Sequence, residues 1–130
     1  RSRRNRSYRS QEVMTYTGML PFYGTDDLES TVKFYRDVMG FEIARDQKTC
    51  MVFKMCEGGY LGFCQHMEKV QNPQSVMISV LTDDVDGVSA HLEKHGYEAW
   101  KKPNVYEKFN IYQAFHTDPN GYTLEIMKFL

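Results

Sequence analysis

The chain of 130 residues is 42% hydrophobic and 25% charged, the balance of a soluble globular protein with one real core and no room for two large domains. Its formal net charge of −1 is unevenly divided: residues 1–13 hold five arginines against Glu12, and the remainder holds 16 Asp/Glu against 11 Lys/Arg. So acidic a body excludes electrostatic attraction to nucleic acid or to an anionic membrane, and no apolar run reaches membrane-spanning length.

The basic segment 1–13 has no apolar periodicity and reads as a disordered leader or tag. It precedes a single domain over 14–130, with Met14 as the natural start. A nucleic-acid-binding arm is the weaker alternative. No apolar stretch follows the arginines to make a targeting peptide, so a cytoplasmic location is expected. Cys50, Cys56 and Cys64 are odd in number and lack close metal-ligand spacing, which predicts reduced thiols in an intracellular protein. Cys64 is read as a small buried hydrophobe, with a nucleophilic role as the alternative.

Tyr16 to Gly24 is apolar and aromatic enough for a buried strand, with Pro21 implying a bulge or an edge. Asp27 is placed to cap a helix and Glu29 to favour its dipole. Leu28, Val32, Tyr35 and Met39 then fall on one helical face, and Gly40 closes the helix. Strands are predicted over 41–46, 49–55 and 59–67, with hairpin turns at 46–48 and 57–59. The polar run 68–75, broken by Asn72-Pro73, is a linker.

The pattern then restarts. A strand over 76–82 carries Val76, Ile78 and Val80 on one face, and a helix over 84–95 buries Val85, Val88 and Leu92. Strands follow over 97–101, 110–116 and 122–129, with a loop over 101–108 and a strong turn signal in Asp118-Pro119-Asn120-Gly121. Thr25-Asp26-Asp27-Leu28-Glu29 through Gly40-Phe41 and Thr82-Asp83-Asp84-Val85-Asp86 through Gly96-Tyr97 are one pattern written twice. The expected fold is α+β: two βαβββ modules in tandem, about 15–68 and about 75–130, with Phe34, Phe41, Phe53 and Phe115 in the core.

The run from Asp27 through Phe34-Tyr35 to Gly40-Phe41 resembles the first helix of the vicinal oxygen chelate superfamily. That superfamily includes glyoxalases, bleomycin-resistance proteins, fosfomycin-resistance enzymes and extradiol dioxygenases. Asp118-Pro119-Asn120-Gly121-Tyr122-Thr123-Leu124-Glu125-Ile126 resembles its final hairpin, and with the repeat the similarity spans about 15–130. The resemblance implies curved sheets enclosing a cleft, with four cleft positions that hold a divalent metal in the family's metalloenzymes. One lies seven residues before each helix-start Asp, here Leu20 and Met77, and one on each module's last strand, here Gly62 and Glu125. Leucine and glycine side chains donate nothing and a thioether suits soft ions, so the usual site cannot form and no metal cofactor is expected. A displaced site built from Glu125, His66 and His116 is a weaker alternative. His91 and His95 have metal-competent i, i+4 spacing but read as a solvated helix face.

Glu125 has two readings: a general base or partner for a cationic ligand, or an inherited carboxylate satisfied by its neighbours. Strand alternation adds Cys64 and His66 beside Gly62. Leu20, Phe22, Met77, Tyr112 and Met127, with Trp100 or Tyr106, make a broad aromatic and thioether surface; some of these equally suit core or interface packing. The ligand-binding set expected is therefore Leu20, Phe22, Gly62, Cys64, His66, Met77, Trp100, Tyr106, Tyr112, His116, Glu125 and Met127, with Glu125 as the catalytic candidate. Three functions fit. The first is metal-free sequestration of an aromatic or cationic drug or metabolite, as in bleomycin-resistance proteins. The second is a superfamily enzyme of lyase, isomerase, thiol transferase or dioxygenase type. The third is a vestigial cleft with a protein-interaction role. By resemblance, a homodimer is expected, with a small-molecule ligand and neither nucleic acid nor membrane as partner.

Overall fold

A computed structural model describes residues 14–130, and the expectations for the leader lie outside them. The first module runs β1 (Phe22–Gly24), α1 (Leu28–Val32) with a π-helical continuation (Lys33–Val38), β2 (Glu42–Asp46), β3 (Cys50–Cys56) and β4 (Gly59–Cys64). The second runs β5 (Met77–Leu81), α2 (Val85–Lys94), β6 (Lys101–Tyr106), β7 (Ile111–Thr117) and β8 (Thr123–Phe129), after a 3₁₀ turn at Pro73–Ser75. Each module forms one four-stranded sheet of the same order, β1-β4-β3-β2 and β5-β8-β7-β6, with the first strand parallel to the last. The fold is α+β, and the duplication is real in three dimensions.

The repeated acidic motif works the same way in both copies. The Thr25 hydroxyl accepts from Asp27 N–H and the Asp27 carboxylate from Ser30 N–H; Thr82 and Asp84 repeat this with Asp84 N–H and Gly87 N–H. Gly40 and Gly96 close the helical segments at φ +79° and +91°, where a Cβ would be strained. The first helix departs from simple periodicity. Its wide π turn, with Met39 N–H bonding Phe34 C=O, brings the consecutive Phe34 and Tyr35 both into the core at 1% and 0% exposure.

The modules share a single core on their helix-bearing sides. Tyr35 packs on Phe41, Phe53 and Phe63, Phe34 meets Tyr97, and Tyr122 reaches Tyr23 and Phe63. Polar groups cross the same junction. Tyr35 Oη donates to Asp118 Oδ2 at 2.7 Å, Thr25 Oγ1 donates to Asn120 Oδ1 at 2.6 Å, and Asn120 Nδ2 donates to Thr31 Oγ1 at 3.1 Å.

Four expectations are corrected. The first strand is short: residue 19 makes only an isolated bridge to Gly59, and regular pairing begins after Pro21, which has no N–H to give. The strand expected over 97–101 lies instead at Lys101–Tyr106, in the supposed loop. Pro103 is tolerated there because β6 is an edge strand with a bulge between Lys101 and Asn104. Phe115 is only partly buried and lies off the core. Finally, Cys50 and Cys64 are joined in a disulfide, leaving only Cys56 free, so they are not the reduced thiols expected. The two residues stand directly opposite on β3 and β4 with Cα atoms 4.1 Å apart.

Candidate functional site

Strand alternation assigns every residue of the two sheets to the shared core or to the opposite face. On β5, Ile78 and Val80 are buried toward the core while Met77, Ser79 and Leu81 point away. Register places Glu125 beside Ser79 and opposite Phe115, and Met127 opposite Gln113. Lys101 pairs with Phe115, and Tyr106 with Ile111. This face lines a cavity of about 650 Å³ bounded by Met77, Lys101, Tyr106, Phe109, Ile111, Gln113, Phe115, Glu125, Met127 and Phe129. Its size suits a drug-sized ligand.

Glu125 is 6% exposed, and its Oε1 accepts a hydrogen bond from Ser79 Oγ at 2.6 Å. Its carboxylate forms no other side-chain hydrogen bond among the described residues. Around it the wall is aromatic. Trp100 stacks on Phe115 with centroids 4.8 Å apart and an interplanar angle of 12°. Lys101 Nζ stands 5.5 Å from the Tyr106 ring centroid and 5.8 Å from that of Phe115, so the rings already accept a cation on their faces.

The equivalent face of the first sheet is built differently. Register pairs Phe22 with Gly62 as it pairs Ser79 with Glu125. A Cβ on Gly62 would stand 2.5 Å from Phe22 Cδ1, so the phenyl ring occupies the place where a side chain at 62 would project. Leu20 and Met77 are surface-exposed at 39% and 52%. The four positions that would hold a divalent ion thus offer one carboxylate, itself bonded to Ser79, one thioether, and two side chains without donors. This donor set does not fit a divalent metal. A second, smaller cavity of about 220 Å³ follows the seam between the modules, with Pro21, Tyr23, Tyr60, Met77 and Ser79 in its lining.

The expected residues separate into three groups. Met77, Tyr106, Glu125 and Met127 line the large cavity, and Trp100 stacks on its wall. Leu20, Phe22, Gly62, Cys64 and His66 belong to the first module, away from that cavity. Tyr112 and His116 are corrected: both are on the core side of β7. Tyr112 Oη donates to Asp86 on α2. His116 is fully buried, with Nε2 2.8 Å from Ser89 Oγ and Nδ1 2.7 Å from Tyr97 O. Burial depresses the His116 pKa, and the Tyr97 carbonyl opposes that shift. The displaced triad of Glu125, His66 and His116 therefore does not form. Among the described residues, the only three-donor cluster is Cys50, Cys64 and His66. His91 and His95 are exposed, and His91 Nε2 reaches Val38 O at 2.8 Å, consistent with a surface face.

The sequence did not point to Ser79, Lys101, Phe109, Ile111, Gln113, Phe115 or Phe129. Ser79 was recoverable from Met77 by counting in twos along β5. Phe115 was not, because β7 carries bulky groups on both faces.

A family model described as Glyoxalase/Bleomycin resistance protein/Dioxygenase superfamily matches residues 19–126. No curated protein sequence matches the chain significantly. Among solved structures, TnmS3, an antibiotic binding protein from Streptomyces sp. CB03234, aligns with a TM-score of 0.77 at 21% identity, covering 91% of this chain and 99% of that one. A glyoxalase/bleomycin resistance protein/dioxygenase from Nocardioides aligns at 0.73 and 20% identity, over 91% of this chain and 86% of that one. A glyoxalase/bleomycin resistance protein from Catenulispora acidiphila aligns at 0.70 and 20%, over 88% and 100%. At these identities the likeness is one of fold.

Proposed function

The chain belongs to the Glyoxalase/Bleomycin resistance protein/Dioxygenase superfamily, and from that premise we propose that it is a metal-free binding protein. Its ligand is a small aromatic or cationic molecule sequestered over Glu125. The observation that carries this reading is the composition of the cavity: one buried carboxylate set among Tyr106, Phe109, Phe115, Met127 and Phe129. Flat rings stack on such a wall, a ligand cation competes with Lys101 for the aromatic faces, and Met127 adapts to irregular shape. The donor-poor positions Leu20, Gly62 and Met77 support the absence of a chelated metal from the cycle of binding and release. The fold shared with an antibiotic binding protein agrees with sequestration.

The binding unit is a homodimer. The modules of one chain pack through their helix-bearing sides, so the Gly62 face and the Glu125 face both point away from the shared core. Those faces expose Phe22 at 38%, Met77 at 52% and Leu81 at 60%. A second copy laid across them closes each cavity with the partner's first module.

The enzymatic reading retains one supporting observation. Ser79 donates to one oxygen of Glu125 beside an open cavity, an arrangement that suits a carboxylate base. Trp100, the sole tryptophan, reports on both. Titration with planar aromatic cations, neutral aromatics and thiol conjugates should shift Trp100 emission and raise the melting temperature for the first class. Glu125→Gln should weaken that binding roughly 10- to 100-fold, as expected for losing a hydrogen bond to a charged group. A panel that leaves both emission and melting unchanged sinks sequestration. Turnover of a bound compound, lost in Glu125→Gln, replaces it with the enzymatic reading.

A further inference from the structure

The cluster at the end of the first sheet has no part in the cavity over Glu125, yet it is the one place in the described chain where three metal-ligating side chains converge. We propose that Cys50, Cys64 and His66 form a thiolate–imidazole site for a tetrahedral ion of the zinc type. The site is available when the Cys50–Cys64 disulfide is reduced and is abolished when it reforms.

The donor atoms of the three residues all lie within 4.8 Å of one another, and Cys50 Sγ is 3.7 Å from His66 Nδ1. The backbone explains the convergence. Gln65 N–H bonds Thr49 C=O, which makes Cys50 and Cys64 a non-hydrogen-bonded cross-strand pair, the kind whose side chains approach most closely. His66 lies in the turn that follows β4, and that turn folds its ring back to within 3.7 Å of Cys50 Sγ. The strand ends are held by bonds that do not depend on sulfur: Thr25 N–H to Cys64 C=O at 3.1 Å and Gln47 N–H to Cys50 C=O at 2.9 Å. Opening the disulfide therefore leaves the ligand-bearing backbone in position.

Burial suits a metal more than it suits a spare pair of thiols. Cys50 and Cys64 are 7% and 3% exposed, but neither belongs to the apolar core cluster. His66 is exposed and supplies the entry side and an open fourth position for water. Two thiolates, one imidazole and a water match the preference of zinc for sulfur and nitrogen in a tetrahedron. Two sulfurs bound to one zinc stand roughly 3.8 Å apart by that geometry, so metal binding and the S–S bond exclude each other.

The chemistry balances in two steps. A dithiol or phosphine reductant supplies two electrons, cleaving the S–S bond to two thiols while the reductant is oxidised. Zinc then binds both sulfurs as thiolates, and two protons leave to solvent. Oxidation by a disulfide-forming oxidant runs the first step backward and expels the ion.

The full chain is tested with Cys56→Ser, which removes the exposed third thiol. Titrated anaerobically with Co²⁺ after phosphine reduction, it should bind one ion per chain with intense thiolate-to-cobalt absorption that Zn²⁺ abolishes. The oxidised protein should show none. His66→Ala changes an exposed residue, so the fold survives, and it should weaken binding at least tenfold; a His91→Ala/His95→Ala variant should bind as before. Zinc should also slow reformation of the disulfide by diamide, and His66→Ala should remove that protection. Cobalt binding that persists in the oxidised chain, the lack of thiolate absorption in the reduced chain, or full affinity in His66→Ala overturns the proposal.

Discussion

Phe22 and Gly62 hold the first module's half of the site in a form that no single substitution returns to a metal-binding one. Their counterparts, Ser79 and Glu125, are a hydrogen-bonded pair, so the two halves of the repeated pattern fill equivalent positions in different ways. A glutamate at 62 would have to displace the Phe22 ring, 2.5 Å from its Cβ, and bury a charge without a partner. Gly62→Glu should therefore cost at least about 2 kcal/mol, and the cost should fall by about 1 kcal/mol or more in a Phe22→Ser background. Urea unfolding of the four proteins of that cycle measures the coupling; additive effects would mean that the ring moves aside freely. At this scale the sequence was informative where the family resemblance and the repeat together supplied a register, which set Leu20 against Met77 and Gly62 against Glu125. It was misleading on β7, where Ile111, Gln113 and Phe115 face the cavity while Tyr112, Ala114 and His116 face the helix. Neither set is uniformly apolar, so alternation alone cannot choose the face, and Tyr112 and Phe115 were exchanged.

The motifs that make the chain recognisable serve at the level of elements as fasteners between modules. No residue of the Asp118–Gly121 turn lines the cavity over Glu125. Asp118 accepts from Tyr35 Oη, Asn120 N–H and Tyr122 N–H, which ties the first helix to the last hairpin. Burial raises the Asp118 pKa, and these three donors pull it back down. Tyr35→Phe removes one donor from a buried carboxylate and should cost about 1.5–3 kcal/mol at neutral pH. The loss should shrink as the pH is lowered and Asp118 takes up a proton; a pH-independent loss would assign the effect to packing alone. His116 titrates with the opposite consequence. Its pKa is depressed from 6.5 by burial between α2 and β7, so the unfolded chain protonates first. Stability due to His116 is fully present above pH 6.5 and falls as the pH drops from there toward the depressed folded value. His116→Gln should flatten this part of the pH–stability profile, with the exposed histidines retained as an internal reference. Equal slopes in the two proteins would place the titrating group elsewhere. Sequence periodicity found both helices and the closing glycines, yet it missed the π turn. One extra residue in a turn changes which side chains face inward without changing composition, and it is this turn that buries Tyr35 beside Phe34, both of which the sequence had pointed inward.

For the whole molecule, the decisive feature is that the duplication folds back to back. Two modules that bury their helices against each other make one shared core, and the other sheet faces lie away from it, meeting only along the seam where Pro21 and Tyr60 approach Met77 and Ser79. Tandem repetition could be read from the residues, but the way the copies pack could not. The contacts that decide it, such as Phe34 on Tyr97 and Thr25 on Asn120, join positions far apart in the chain. Met77 and Leu81 are exposed in the single chain and are the surface the proposed dimer would cover, whereas the edge strand β2, exposed throughout and carrying Glu42, Arg45 and Asp46, is poorly suited to further pairing. Sedimentation equilibrium should accordingly find a dimer. Leu81→Asp should shift it to monomer, because a charge at a buried interface lacks a partner there. Leu81 is 60% exposed in the single chain, so its substitution should leave the monomer's own melting little changed. If the cavity is completed across the dimer, Leu81→Asp should weaken ligand binding along with dimer formation even though Leu81 does not line the cavity. A monomeric Leu81→Asp protein that binds ligand at full affinity would show that one second module suffices as the binding unit. A wild-type monomer at high micromolar concentration would remove the partner's wall altogether.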